Sequence, residues 1–236
     1  MTACTRNNLS MSGFTHSGVY NFVSILKAPN RYASWELGRG LVVGYGEGHE
    51  ASFLSQQLGV AVVGVDLRPP ADAYGKHFRP ILADALHIPF PSGSFDFVFS
   101  YHTLEHLSDP EAGLSEMHRV LRPGGLLYIG TPNRHRIIGY VGSYGASLQQ
   151  KIAWNLKDYV DRLRGKFRNE LGAHAGFSRR ELQELLAAHF SDVQWLTKDY
   201  LWFKYSAKIP GFILRAFLLD PVLDFLAPAL YALCRK

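Results

Sequence analysis

Five short apolar runs recur between residues 40 and 132: GLVVG (40–44), VAVVGVD (60–66), FRPILAD (78–84), FDFVFS (95–100) and GLLYIGTP (125–132). Each is rich in Val, Ile, Leu, Phe or Tyr and is bounded by turn residues, as expected of strands covered on both faces. The stretches HEASFLSQQLG (49–59) and DPEAGLSEMHRVLRPGG (109–125) between them read as helices. In the second, Asp109 is placed as an N-cap with Pro110 at the first helical position, and Leu114, Met117, Val120 and Leu121 share a face. Strands alternating with helices predict a mostly parallel sheet with helices on both sides, three layers in all. The segment FSDVQWLTKDYLWFKYSA (190–207) is read as the last two of seven strands, an antiparallel pair. In such sheets ligands sit beyond the carboxyl ends of the strands, so chemistry is sought there.

With 236 residues and 47% apolar content, the chain can bury one sizeable core, and a single domain over 1–236 is expected. A charged fraction of 19% without low-complexity tracts argues against disorder. The first residues, MTACTRNNLSMSG, show no apolar core of a secretory signal. Cys4 and Cys234 offer neither a disulfide framework nor zinc spacing, which points to a reducing cytoplasm. The net charge of +5 is concentrated: residues 134–168 hold eight cations (Arg134, Arg136, Lys151, Lys157, Arg162, Arg164, Lys166, Arg168) against Asp158 and Asp161. Such a segment is either a solvated helix face or a surface for an anionic partner. No nucleic-acid motif accompanies it, and no nucleic acid is expected.

The tail FILRAFLLDPVLDFLAPALYAL (212–233) is apolar but a poor membrane span. Its Leu, Ile, Phe and Val residues contribute about −4 to −7 kcal/mol, against a cost of about 8–10 kcal/mol for Arg215, Asp220 and Asp224 at mid-span. Asp220–Pro221 reads as the N-cap and first residue of a helix. The tail is therefore expected to be helical, packed on the core or lying on a membrane surface.

Three glycines, Gly44, Gly46 and Gly48, follow the first strand in a G-x-G-x-G spacing. A dinucleotide fingerprint is G-x-G-x-x-G, so a pyrophosphate, and with it a nicotinamide oxidoreductase, is disfavoured. The spacing still lets a ligand lie on bare backbone. Asp66 ends the second strand, where a carboxylate can accept from both hydroxyls of a ribose. Asp84 ends the third, where it can meet an adenine amino group, with Leu86 and Ile88 as apolar walls.

Together VVGYGEG, VVGVD, ADALHIPFPSGSFDFVFSYHTLEHLSDP and LRPGGLLYIGTPN, spanning Leu41 to Asn133, resemble the class I S-adenosylmethionine-dependent methyltransferases. The branch they resemble is that of ubiquinone-biosynthesis and small-molecule enzymes. The resemblance implies a Rossmann-like α/β fold, seven-stranded and mostly parallel. It implies S-adenosyl-L-methionine as cofactor, with Gly44, Tyr45, Gly46 and Gly48 lining its methionine side. Asp66 and Leu67 would then meet the ribose, Asp84, Ala85 and Leu86 the adenine, and Ser100 and Tyr101 the methionine moiety. The family carries an acidic residue two positions before the first glycine, where this chain has Val42.

HTLEH places His102, Glu105 and His106 at i, i+3 and i+4, on one face of a helical turn after the fourth strand. His106 is a candidate proton acceptor. Some ubiquinone-type relatives carry divalent-metal ligands at these spacings with Glu at the first, so His102, Glu105 and His106 are a candidate metal set suited to a softer cation than magnesium. The other reading is that Glu105 and His106 brace the loop. His174, in HAGFSRRELQELLAAHF, resembles a family histidine that faces substrate, and Ser178 with Glu181 forms a capping box after it. By the same likeness residues 134–177 form a substrate lid, between a cofactor-binding core (41–133), preceded by an N-terminal cap (1–40), and the rest of the core (178–208) with its tail (209–236). The expected activity is O-methylation of a small, sugar- or lipid-linked acceptor. The alternatives are C-methylation of a quinone-type lipid and a non-catalytic cofactor-binding partner in a membrane-associated complex.

Overall fold

The computed structural model describes residues 17–28, 38–71, 77–140, 146–171 and 173–236. Cys4 and much of the expected N-terminal cap lie outside these residues. The strands are β1 (Arg39–Val43), β2 (Ala61–Asp66), β3 (Arg79–Leu82), β4 (Phe95–Tyr101), β5 (Leu121–Pro132), β6 (Asp192–Trp195) and β7 (Ala229–Arg235). They form one seven-stranded sheet in the order β3-β2-β1-β4-β5-β7-β6. β1 through β5 pair in parallel, and β7 runs antiparallel between β5 and β6. The chain leaves β1 in one direction across the sheet and returns to its other side with β4, so the crevice between their carboxyl ends is the topological switch point.

Side-chain alternation builds two cores from this one sheet. Val42, Phe97, Phe99, Leu126 and Tyr128 face one side, where α1 (Ser17–Leu26), α2 (His49–Leu58) and α6 (Thr197–Tyr205) cover them. Leu41, Val43, Val98, Leu127 and Ile129 face the other, beneath α3 (Pro110–Val120) and α5 (Arg179–Ala187). The period of two explains why the strands read as continuous apolar runs: both faces are buried. The expected starts of α3 and α5 are present. Asp109 accepts from Ala112 N with Pro110 in the first turn, and Ser178 and Glu181 bond each other's backbone N–H in a capping box.

Three local readings are corrected. The helix expected to begin at Asp109 and stop at Pro123 ends earlier, at Val120, and β5 starts at once with Leu121. Pro123 disfavours helical geometry at the residue before it, and Gly124 takes a left-handed φ of 76°. The antiparallel pair exists, but within 190–207 only β6 is a strand; Thr197–Tyr205 is helix α6. The second member of the pair is β7, from the tail expected to be helical. The tail does form two short helices, α7 (Gly211–Phe217) and α8 (Asp220–Leu226). Leu219 stands at the N-cap of α8 and Asp220 one position inside, so Asp220 does not cap it.

β7 fills the gap between β5 and β6 with Ala229 to Cys234 buried, and Tyr231 packs its ring 3.9 Å from that of Tyr200 on α6. Burial drives the Cys234 thiol pKa well up, so it stays a neutral core group. Ending the chain near Lys208 therefore removes an interior strand, not an appendage. Such a truncation is expected to abolish the cooperative thermal transition in circular dichroism; a soluble product that still melts cooperatively would contradict it.

Candidate active site

The glycine loop after β1 runs through left-handed backbone at Gly44, Gly46 and Gly48, with φ of 74°, 53° and 94°. At Gly44 the need is also steric, since a Cβ there would sit 2.1 Å from Thr103 Oγ1. At Gly46 a Cβ would meet nothing within 4 Å, so the outer side of the loop is open backbone. Gly46 N donates to Asp66 Oδ2 at 2.8 Å, tying the loop to the end of β2, and Arg68 N donates to Asp66 Oδ1 at 3.1 Å. Leu67 beside it is 74% exposed. Asp84, exposed beyond β3, accepts from Leu86 N at 2.9 Å, between half-buried Leu86 and buried Ala85.

Two of the expected lining residues point elsewhere. The Tyr45 ring is buried in the core against Phe78, 5.3 Å between centroids, and its hydroxyl donates to Arg68 O at 2.6 Å. Only its backbone lines the loop. Tyr101 stacks on Phe99 and Tyr231, and burial, with Tyr200 adding to it, holds its hydroxyl pKa well above the ordinary tyrosine value. Ser100, by contrast, ends in a fully buried Oγ with no hydrogen-bond partner, at the carboxyl end of β4. An orphaned hydroxyl, an open backbone cradle and two carboxylates at successive strand ends fit an adenosyl ligand with a polar amino-acid end.

The turn after β4 is locked to this loop. Thr103 Oγ1 donates to Val43 O at 3.1 Å. His102 takes a φ of 53°, unusual for a residue with a side chain, and its N–H donates to Gly130 O at 2.7 Å. The turn over Leu104–His106 is a single 3₁₀ turn. Glu105 is buried beneath it; Oε1 lies 3.2 Å from His102 Nδ1, and Oε2 accepts from Thr131 Oγ1 at 3.1 Å. Burial pushes its carboxyl pKa up, but the hydrogen bond and charge of His102 outweigh this, and the net displacement is downward. Glu105 therefore stays ionised.

His106 and His174, from segments far apart in sequence, meet edge-to-face with ring centroids 4.7 Å apart. Partial burial and the adjacent His106 lower the His174 pKa below the ordinary histidine value of 6.5, and Glu105 partly opposes this. His174 is thus neutral at neutral pH and able to take a proton. Among the described residues the donor set within 4.8 Å is Glu105, His106 and His174, so His174 stands where His102 was expected. Two imidazoles and a carboxylate suit a borderline cation by donor type. Glu105 already uses both oxygens, which favours its role as a brace.

Arg136 holds His174 in place. It is 4% exposed and donates to His174 O at 2.9 Å, Ala175 O at 3.3 Å and Asn133 O at 3.1 Å. Its counter-ion is Asp158 of helix α4 (Leu148–Leu163), at 2.8 Å. Tyr140 OH donates to the other Asp158 oxygen at 3.0 Å; burial and that carboxylate push the Tyr140 hydroxyl up to about 12. The charge count of the sequence treated Arg136 as a surface cation, and it is not one. Arg134 pairs with Glu181, Lys157 with Asp161, and Arg162 bonds Arg136 O at 3.1 Å while stacking over Phe167. Of the other four, Arg164, Lys166 and Arg168 are exposed and Lys151 is half-buried. The Arg136–Asp158 pair left no signal in the sequence beyond a cation and an acid 22 residues apart.

This strand order, with a glycine turn and carboxylates at the switch point, is that of a doubly wound α/β protein, whose ligand site lies at the carboxyl ends of the strands. Residues 41–129 match the family profile described as a methyltransferase domain. The demethylmenaquinone methyltransferase of Thermus thermophilus is 36% identical over 116 residues, covering 45% of this chain and 49% of that protein. The YcgJ protein of Bacillus subtilis superposes with a TM-score of 0.57 at 18% identity, covering 94% of this chain and 98% of that one. Phosphoethanolamine N-methyltransferase 2 of Haemonchus contortus, solved with S-adenosyl-L-methionine, gives a TM-score of 0.56 at 21% identity, over 92% of this chain and 52% of that one. Over residues 41–129 the chain is similar to the class I S-adenosylmethionine-dependent methyltransferases. Its matches to the demethylmenaquinone relative span about half of that protein's length.

Replacing Arg136 by Met leaves Asp158 buried without its counter-ion. A loss of about 3–5 kcal/mol in unfolding free energy is expected from denaturant titration, and a loss under ~1 kcal/mol would place the ion pair outside the core of the fold.

Proposed function

We propose that the protein transfers a methyl group from S-adenosyl-L-methionine to a hydroxyl oxygen of a small, sugar- or lipid-linked acceptor. The observation that carries this reading is the meeting of His106 and His174 on the turn that Thr103 fastens to the glycine loop. When bound, the cofactor supplies an electrophilic sulfonium methyl. The chain's own residues do the rest. Backbone at Gly44, Gly46 and Gly48 and the free Ser100 hydroxyl hold the amino-acid end, Asp66 with Leu67 the ribose, and Asp84, Ala85 and Leu86 the adenine. His174, neutral and fixed by Arg136, takes the hydroxyl proton, with His106 beside it. Glu105, ionised, favours the charge that His174 then carries. Alignment contributes roughly 7–11 kcal/mol, whereas a base adds about 10²–10⁴-fold, or ~3–5 kcal/mol. Positioning is the larger share.

A second reading, C-methylation of a quinone-type lipid, is supported by the demethylmenaquinone methyltransferase relative. The same base would serve, because ionising a ring hydroxyl enriches the neighbouring carbon. A divalent cation at Glu105, His106 and His174 would replace the proton-acceptor role, and chelator-sensitive turnover would support it. Two cysteines without a disulfide framework or zinc spacing support a cytoplasmic location. No helix among the described residues is long and apolar enough to cross a membrane.

Calorimetric titration with S-adenosyl-L-methionine should give a single-site isotherm that Asp66→Ala weakens at least tenfold, the cost of losing a charge-assisted hydrogen bond, about 1.5–3 kcal/mol. No heat and no thermal shift at millimolar cofactor would end the proposal. Binding with no turnover against hydroxylated sugars, lipids or quinols would leave the non-catalytic reading.

His174→Ala is expected to lower kcat by about 10²–10⁴-fold with little change in cofactor affinity. The basic form of His174 is present above its lowered pKa and lost as pH falls through it, so the acid limb of kcat/KM should lie below pH 6.5. Glu105 raises that pKa, so Glu105→Gln should move the limb to lower pH still. A limb that ignores both substitutions would assign the proton elsewhere.

A further inference from the structure

Helix α4 presents an apolar stripe to solvent. Leu148, Ile152, Leu156, Tyr159, Val160 and Leu163 fall within about a third of the helical circumference. All six are exposed, Leu163 to 90% and Leu156 to 59%. The flank beside this stripe is the one used by the fold: Asp158 pairs with Arg136, and Asn155 bonds both N and O of Gly139. The stripe does not end with the helix. Tyr159 OH donates to Ile137 O, and Ile137 N donates to Phe225 O of α8 at 2.8 Å. Ile137, Ile138 and Phe225 are themselves 48%, 56% and 51% exposed, so the apolar surface continues across 137–138 onto the tail helix.

Charge tells what would cover this face. The two acids of α4 are neutralised within the molecule, Asp158 by Arg136 and Asp161 by Lys157. Arg164, Lys166 and Arg168 follow the helix on the surface, with Glu170 the next acid. In a symmetric pair of chains this face would meet itself, and the acids of α4, already paired within the molecule, would not answer these cations. An anionic lipid surface opposes them instead. At sixteen residues α4 is about 24 Å long, suited to lie in an interface and too short to cross one. We infer that α4, with Ile137, Ile138 and α8, forms a docking face for an anionic lipid membrane. Through Asp158 and Arg136 this face is braced to the backbone of His174, so docking would set the candidate active site close to the lipid headgroups.

The test is sedimentation of the full chain with vesicles of phosphatidylglycerol and phosphatidylcholine, against phosphatidylcholine alone. Partition into the anionic vesicles is expected, falling with added salt. Leu156→Gln with Leu163→Gln should lower the partition coefficient at least about tenfold, equivalent to ~1.4 kcal/mol, while leaving the circular dichroism melt and the cofactor titration unchanged. Arg164→Gln, Lys166→Gln and Arg168→Gln together should erase the preference for anionic over neutral vesicles, each contributing roughly fivefold. No partition into anionic vesicles, or partition that the leucine variant leaves intact, would overturn the inference. So would a dimer in sedimentation equilibrium that the leucine variant abolishes without any vesicle binding, which would give the face to a second copy. Vesicle binding needs neither cofactor nor acceptor, so a failed methyl-transfer assay leaves this result standing.

Discussion

The close approach of the turn after β4 to the end of β1 is the constraint on which the rest depends. It requires the absence of a side chain at Gly44, since a Cβ would fall within 2.1 Å of Thr103 Oγ1. With that space free, Thr103 reaches Val43 O, and the glycine loop and the histidine turn become one structure at the switch point of the sheet. The left-handed backbone at His102 belongs to the same arrangement. Strain of that kind persists only where its surroundings enforce it; here Glu105, Thr131 and Gly130 all grip the turn.

The second organising contact is the buried pair of Arg136 and Asp158. A buried ion pair contributes little net stability relative to apolar packing, yet losing one partner is costly. Its value here is geometric. One guanidinium joins the end of β5, the His174 backbone and helix α4, with Phe167 and Tyr140 against its faces. The segment after β5, expected to cover a substrate, is thereby tied to a candidate proton acceptor. The polar side of α4 goes into the molecule and its apolar side goes out, the reverse of an ordinary surface helix.

Much of the cofactor side was legible because it is local. A glycine turn, a carboxylate ending a strand and an N-cap are properties of a few consecutive residues, and Asp66, Asp84 and Asp109 stand where short-range chemistry puts them. Direction of a side chain was less legible. Tyr45 sits in the loop but turns into the core against Phe78: alternation would send it to the side of Val43, and the left-handed turn at Gly44 brings it to the side of Val42 instead. The tail misled for a similar reason. ALYALCR has neither a period of two nor of 3.6, since a strand buried on both faces shows no alternation and its apolar run resembles a buried helix segment.

The sequence by itself determined the alternation of strands and helices, the likeness to methyltransferases over 41–129, and the cradle of backbone and carboxylates at the strand ends, since each is written in contiguous residues. Only the tertiary structure decided that the end of the tail is an interior strand, that His174 joins Glu105 and His106, and that Arg136 is buried. Those outcomes depend on contacts between residues tens of positions apart, and nothing in the local pattern of one partner specifies the other.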